Sequence, residues 1–141
     1  MKRMSAKAFL DTNILVYAHT DVDIIKQSLA QNLIRESRSF ISTQVLQELA
    51  STLFRKFHQP WKNIEMVLMN AADNSVLDTN TNTTIKSACQ VAQDYKISFY
   101  DSLILSSALE CECSILYTED LTDGQIIKNL KIINPFVDSP K

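Results

Sequence analysis

A chain of 141 residues with 45% hydrophobic content suits one domain around one core, and folding at this size buries roughly two-thirds of the unfolded surface. A net charge of −2 argues against tight, sequence-blind binding of nucleic acid through phosphate neutralisation, although metal-binding carboxylates offset basic residues in such a count. Gly124 is the sole glycine, which excludes a P-loop and a GxGxxG dinucleotide loop, and no apolar run approaches the roughly 20 residues needed to span a bilayer.

In chain order, the first seven residues are basic, and Asp11 interrupts the short apolar stretch that follows before it could form a signal-peptide core. A cytoplasmic protein with no membrane partner is expected. Residues 8–10 read as a first strand, ending at Asp11-Thr12-Asn13. Residues 14–17 and then 22–38 look helical, with Ile25, Leu29, Leu33 and Ile34 as the apolar positions. Phe40-Ile41 is a short second strand. Ser42 or Thr43 can cap the next helix, which runs to about Phe57 with Val45, Leu46, Leu49, Leu53 and Phe57 on one face.

Pro60 sits where another helix starts, spanning 61–72, and Trp61, Met66 and Met69 read as core. Residues 75–77 form a third strand, 79–84 a polar loop and helix entry, and 85–95 a helix. Ser98 opens a helix reaching roughly Glu112, 114–118 is a fourth strand and 131–133 a fifth. Cys89, Cys111 and Cys113 make an odd count, in keeping with a reducing compartment. Cys111-Glu112-Cys113 has neither a second pair nor a nearby His to make a zinc site. Short apolar strands separated by longer helices predict an α/β domain, with a mostly parallel sheet of four to five strands covered on both faces. Ligands bind such sheets beyond the carboxyl ends of the strands.

That rim is where acids collect. Asp11 follows the first strand and Asp120 the fourth. Taken alone, Asp11 reads first as a helix cap or Asx turn. Asp101 heads the stripe Ile104, Leu105, Ala108, Leu109, where a carboxylate is costly unless something polar or cationic meets it. A capping box with Ser98 is the plainer account of Asp101. Glu48 lies at the edge of the Val45, Leu46, Leu49, Leu53 stripe, and Thr52 stands at i+4 where a cation would explain it. Gathered at one rim, such carboxylates repel one another until their pKa values rise or divalent cations neutralise them. Oxygen-only ligands select hard ions, hence Mg²⁺ or Mn²⁺, and metal-assisted phosphodiester hydrolysis is the matching chemistry.

Phe9-Leu10-Asp11-Thr12-Asn13-Ile14-Leu15, the helical Glu48, Tyr100-Asp101-Ser102-Leu103-Ile104 and Leu116-Tyr117-Thr118-Glu119-Asp120-Leu121 together resemble the PIN domain, in particular the VapC-like toxin ribonucleases. The likeness runs from about residue 7 to 136, within a single domain taken as 1–141. It implies that Asp11, Glu48, Asp101 and Asp120 form a catalytic Mg²⁺ or Mn²⁺ site, with Asn13 and Thr118 orienting the ligands. Asp123 is an alternative to Asp120, and Glu119 is expected to point away. The resemblance also implies an RNA substrate, a homodimer and a small antitoxin partner. The basic residues Arg35, Arg38, Arg55, Lys56 and Lys62 read either as a solvated face or as a dimer face or RNA path. Two other accounts compete. A phosphoacceptor receiver domain would use Asp78, but it would want paired acids after the first strand and a Lys ending the last. A catalytically inactive PIN-like interaction module would have no reason to keep four mutually repelling acids.

Overall fold

The computed structural model describes residues 6–137. Its elements are β1 (Lys7–Leu10), α1 (Thr12–Ala18), α2 (Ile24–Glu36), β2 (Arg38–Ser42), α3 (Thr43–Arg55), α4 (Trp61–Asp73), β3 (Val76–Asp78), α5 (Asn82–Tyr95), α6 (Phe99–Glu110), β4 (Ile115–Tyr117), β5 (Ile126–Ile127) and β6 (Leu130–Ile133). They build one sheet in the order β3-β2-β1-β4-β6-β5, parallel throughout except for the β5–β6 hairpin. The sheet thus has six strands, against four to five expected. The missing strand is the two-residue β5, too short to show the alternation by which strands are read from sequence.

Strand order dictates where a site can form. From β1 the chain steps outward to β2 and β3, then returns past β1 to lay down β4. The connections therefore diverge between β1 and β4, which opens a crevice at the carboxyl ends of these two strands. Helix α1 packs against both α2 and α3, α3 against α4, and α5 pairs with α6. The core lies between the helices and the sheet, around Phe9, Leu10, Ile41, Leu49, Leu53, Leu105 and Leu116, all fully buried. In α6 every residue from Ser102 to Ala108 is buried, which explains why this helix carries almost no polar face.

Helix starts follow their capping chemistry. Ser42 accepts from the Val45 N–H and caps α3. Thr81 and Thr84 form a reciprocal capping box at α5, so this helix begins within the stretch read as loop and helix entry. At α6, Ser98 accepts from the Asp101 N–H at 3.2 Å. No return bond from the Asp101 carboxylate is made, so the capping-box alternative is only half realised and the carboxylate is left for other use.

One apolar group read as core lies outside it. Trp61, Met66 and Met69 are 58%, 64% and 61% exposed, and the Trp61 ring stacks on the exposed Phe54 with centroids 4.3 Å apart. On α2, Ile25 and Leu29 are also exposed, while Ala30 is buried and Leu33 and Ile34 pack against the core. Both helices form an outer layer with more apolar positions than their inner faces can accommodate. Cys111 is half-buried and Cys113 buried, both as free thiols, and burial pushes each up to about 12. No described helix is long and apolar enough to cross a membrane.

Candidate active site

The backbone of Asp11 extends the β1–β4 pairing by one residue, its N–H donating to the Tyr117 carbonyl at 3.0 Å. Its side chain then turns to cap α1, with Oδ1 accepting from the Thr12 N–H at 2.7 Å. The other oxygen, Oδ2, accepts from the Thr118 hydroxyl at 2.7 Å. Thr118 is fully buried just beyond β4, and its Oγ1 accepts in turn from the Asp120 N–H at 3.0 Å. One threonine therefore joins two of the acids expected from the sequence. Capping and membership of an acidic site are not alternatives for Asp11, since the same carboxylate does both.

Asp120 lies at the mouth of the crevice, where Asn13 Nδ2 donates to its Oδ2 at 3.0 Å. Asn13 Oδ1 is buried without a hydrogen-bond partner, an arrangement that leaves an acceptor in want of a cation or donor. Glu48 is half-buried on α3. Its Oε1 accepts from Thr12 Oγ1 at 2.6 Å and its Oε2 from Gln44 Nε2 at 3.1 Å. Gln44 Nε2 also donates to the Tyr100 carbonyl at 3.1 Å, linking α3 to the first turn of α6, where Asp101 sits. Thr12 and Gln44 were not anticipated. Gln44 carried a usable signal, being four residues before Glu48 and hence on the same helix face.

Asp11, Glu48, Asp101 and Asp120 line one cavity of about 500 Å³, together with Asn13, Gln44, Ser51, Arg55 and Lys56. Asp123 does not border it. Its Oδ1 accepts from the Asn134 N–H at 2.8 Å and ties the β4–β5 loop to the segment after β6. Glu119 borders the cavity, contrary to expectation, but its carboxylate is engaged by the Tyr17 hydroxyl at 2.8 Å and ion-paired with Lys26. The short turn after β4 brings consecutive side chains to the same rim, whereas a continued strand would have sent them to opposite faces.

Burial raises Asp11 to about 7, helped by the Asp120 and Glu48 charges and opposed by the hydrogen bonds from Thr118 and Thr12. Asp120 is raised as well, by desolvation first and then by Asp101, with Asn13 opposing. Burial is thus the main cause in both groups, the mutual repulsion expected of clustered acids adds to it, and a divalent cation offsets both. The donor set, all oxygen with a buried carboxylate and an orphan amide oxygen, fits a hard cation. Among the described residues no three His, Cys, Asp or Glu side chains converge tightly enough to enclose an ion. Glu48 and Asp120 accept hydrogen bonds from Thr12, Gln44 and Asn13.

A mostly parallel α/β sheet with a ring of acids at its topological switch point defines a class of small domains whose chemistry lies at the strand-end rim. The chain belongs to the PIN domain family, which it matches over residues 8–122. Comparison with curated proteins returns no match. By fold it is similar to VapC20 of Mycobacterium tuberculosis, a sarcin-ricin loop cleaving toxin, with TM-score 0.68, 15% identity, and coverage of 80% of this chain and 89% of that one. A toxin–antitoxin complex from Klebsiella pneumoniae gives TM-score 0.67 and 19% identity over 92% of this chain and 98% of that one. VapBC2 from Rickettsia felis, bound to a DNA fragment from its promoter, gives TM-score 0.66 and 20% identity over 89% and 96%. At such identities the likeness is one of fold.

Proposed function

We propose that this protein is a Mg²⁺- or Mn²⁺-dependent endoribonuclease, the toxin of a toxin–antitoxin pair. The observation that carries the proposal is the buried Asp11, raised to about 7 in a cavity shared with Glu48, Asp101 and Asp120. Membership of the PIN family and the toxin folds it resembles support the same reading. Asp11, Asp101 and Asp120 would hold the cation, with Glu48 completing the set. When bound, the ion supplies a lowered pKa for the attacking water and compensation for charge on the phosphodiester.

The remaining work falls to the chain. Thr118 and the Thr12 N–H orient Asp11, while Asn13 and the Thr118 hydroxyl fix Asp120 and its loop. Glu48 is held through both oxygens by Thr12 and Gln44, which leaves it placed to orient the water and take up its proton. The substrate is RNA, the working form a homodimer in the cytoplasm, and the partner a small antitoxin that covers the cavity.

The deciding experiment is cleavage of a labelled single-stranded RNA in Mg²⁺, Mn²⁺ or EDTA by the parent and by Asp101→Asn. Metal-dependent cutting that the variant loses is expected. A folded, antitoxin-free parent that neither cuts RNA nor binds divalent ions would overturn the proposal and favour an inactive interaction module.

A further inference from the structure

The cavity holds two cations that the nuclease chemistry above does not use. On α3, Gln44, Glu48, Ser51, Thr52 and Arg55 follow one another along the cavity wall, with Lys56 at the helix end. Arg55 is anchored, its Nε–H donating to Ser51 Oγ at 3.0 Å, so the guanidinium is directed along the helix while its η N–H groups keep their donor capacity. Neither Arg55 nor Lys56 is ion-paired within the described residues, although five carboxylates border the same cavity. By contrast Lys26, the cation beside Glu119, is fully engaged in an ion pair and over the Tyr17 and Phe136 rings. A net charge of −2 means that the overall field does not attract a polyanion, so local unpaired cations must do so.

Spacing indicates what they meet. Arg55 and Lys56 are seven and eight residues beyond Glu48, about 11 Å along the helix axis at about 1.5 Å per residue. Stacked nucleotides advance about 3.4 Å each along one strand, so this span is about three nucleotides. A cavity of about 500 Å³ admits a short piece of one strand and not a duplex. Arginine suits the role because its planar fork pairs with phosphate through two parallel hydrogen bonds.

We propose that Arg55 and Lys56 form a phosphate-binding subsite that grips single-stranded RNA about three nucleotides from the bond to be cut. The inference rests on the nuclease reading and adds to it the register of the substrate. The subsite sets the strand so that a distant phosphate, and not the base at the cut, supplies much of the binding.

The test compares the parent with Arg55→Ala/Lys56→Ala and with Arg55→Lys, each checked by thermal melting, on a fluorescein-labelled single-stranded RNA. Binding is measured in an Asp101→Asn background across a salt series, and cleavage in the unaltered background. Losing two phosphate contacts from a single strand should flatten the slope of log affinity against log salt by about 1.4, so the parent loses about seven-fold more affinity than the double variant between about 50 and 200 mM salt. KM should rise about ten-fold or more with little change in kcat, and Arg55→Lys should keep the parent slope. A single neutral methylphosphonate linkage about three nucleotides from the cut should weaken the parent and leave the double variant unaffected. If the parent cuts RNA and the double variant shows the same slope and KM, the subsite is refuted and the nuclease reading survives. If the parent neither binds nor cuts RNA, the nuclease reading falls, and the subsite with it.

Discussion

Replacing Asp11 by Asn removes one charge from the most buried carboxylate of the cavity while keeping its shape. Folding raises this group from 3.8 to about 7, so the folded state binds its proton more tightly than the unfolded state does. The sign follows from linkage. Stability falls as pH rises between the two values, because the unfolded chain releases the proton first. It levels off above the folded value. Integrated between about pH 4.5 and pH 8, that shift amounts to about 3 kcal/mol lost from the metal-free parent. In Asp11→Asn this loss is absent. Near pH 4.5 the folded parent and variant both carry a neutral side chain of the same size at Asp11, and the parent should be the less stable by only about 1 kcal/mol, because its unfolded chain is already largely ionised there. Near pH 8 the variant should be more stable by about 2–4 kcal/mol. Urea unfolding in EDTA at the two pH values measures the difference. Added Mg²⁺ should reverse the ranking, stabilising the parent by RT ln(1 + [Mg²⁺]/Kd) and leaving the variant unchanged. A variant no more stable than the parent near pH 8 would refute the claim that Asp11 is held in a costly ionised state. An equal response of both proteins to Mg²⁺ would refute its place among the metal ligands.

Other expectations concern the groups around it. Thr118→Val removes the donor to Asp11 Oδ2 and the acceptor for the Asp120 N–H, and should cost about 1–3 kcal/mol in urea unfolding, whereas Thr118→Ser should cost much less because the hydroxyl remains. Glu48→Gln keeps the side chain's shape and should lower kcat by about 100-fold or more with thermal stability nearly unchanged, measured by initial rates and melting together. Lys26→Met breaks the ion pair with Glu119, whose side chains are 28% and 27% exposed. That pair should be worth under about 1 kcal/mol after solvent screening, and the difference between parent and variant should shrink in high salt; a larger, salt-independent loss would show that packing on Tyr17 and Phe136 dominates.

Much of this molecule follows from local chemistry. The alternation of short apolar strands and helices, the caps at Ser42 and Ser98, and the placing of Asp11 after β1 all depend on residues near one another in the chain. Local pattern is strong enough to define them. The candidate acids were legible for a similar reason, since a carboxylate on or beside an apolar stripe is conspicuous wherever the stripe ends up. The features missed are those that no window of sequence contains. Strand β5 forms because Ile126 and Ile127 find β6, and two residues carry no period of their own. Trp61, Met66 and Met69 have the composition of a core, but whether α4 has a neighbour over that face is a matter of packing.

The cavity is the clearest division between the two. Sequence determines that Asp11, Glu48, Asp101 and Asp120 exist, and on which elements. It cannot say that β4 inserts beside β1 instead of extending the sheet past β3, and it is this return that brings Thr118 and Asp120 to Asp11. The choice of Asp120 over Asp123 for the cavity wall, the engagement of Glu119 by Lys26, and the roles of Thr12 and Gln44 follow from it. Hydrogen bonds and Coulomb interactions act over a few ångströms of space, whatever the number of residues between the partners. Thr118 and Asp11 are 107 residues apart in the chain and 2.7 Å apart in the fold, and only the tertiary structure makes that conversion.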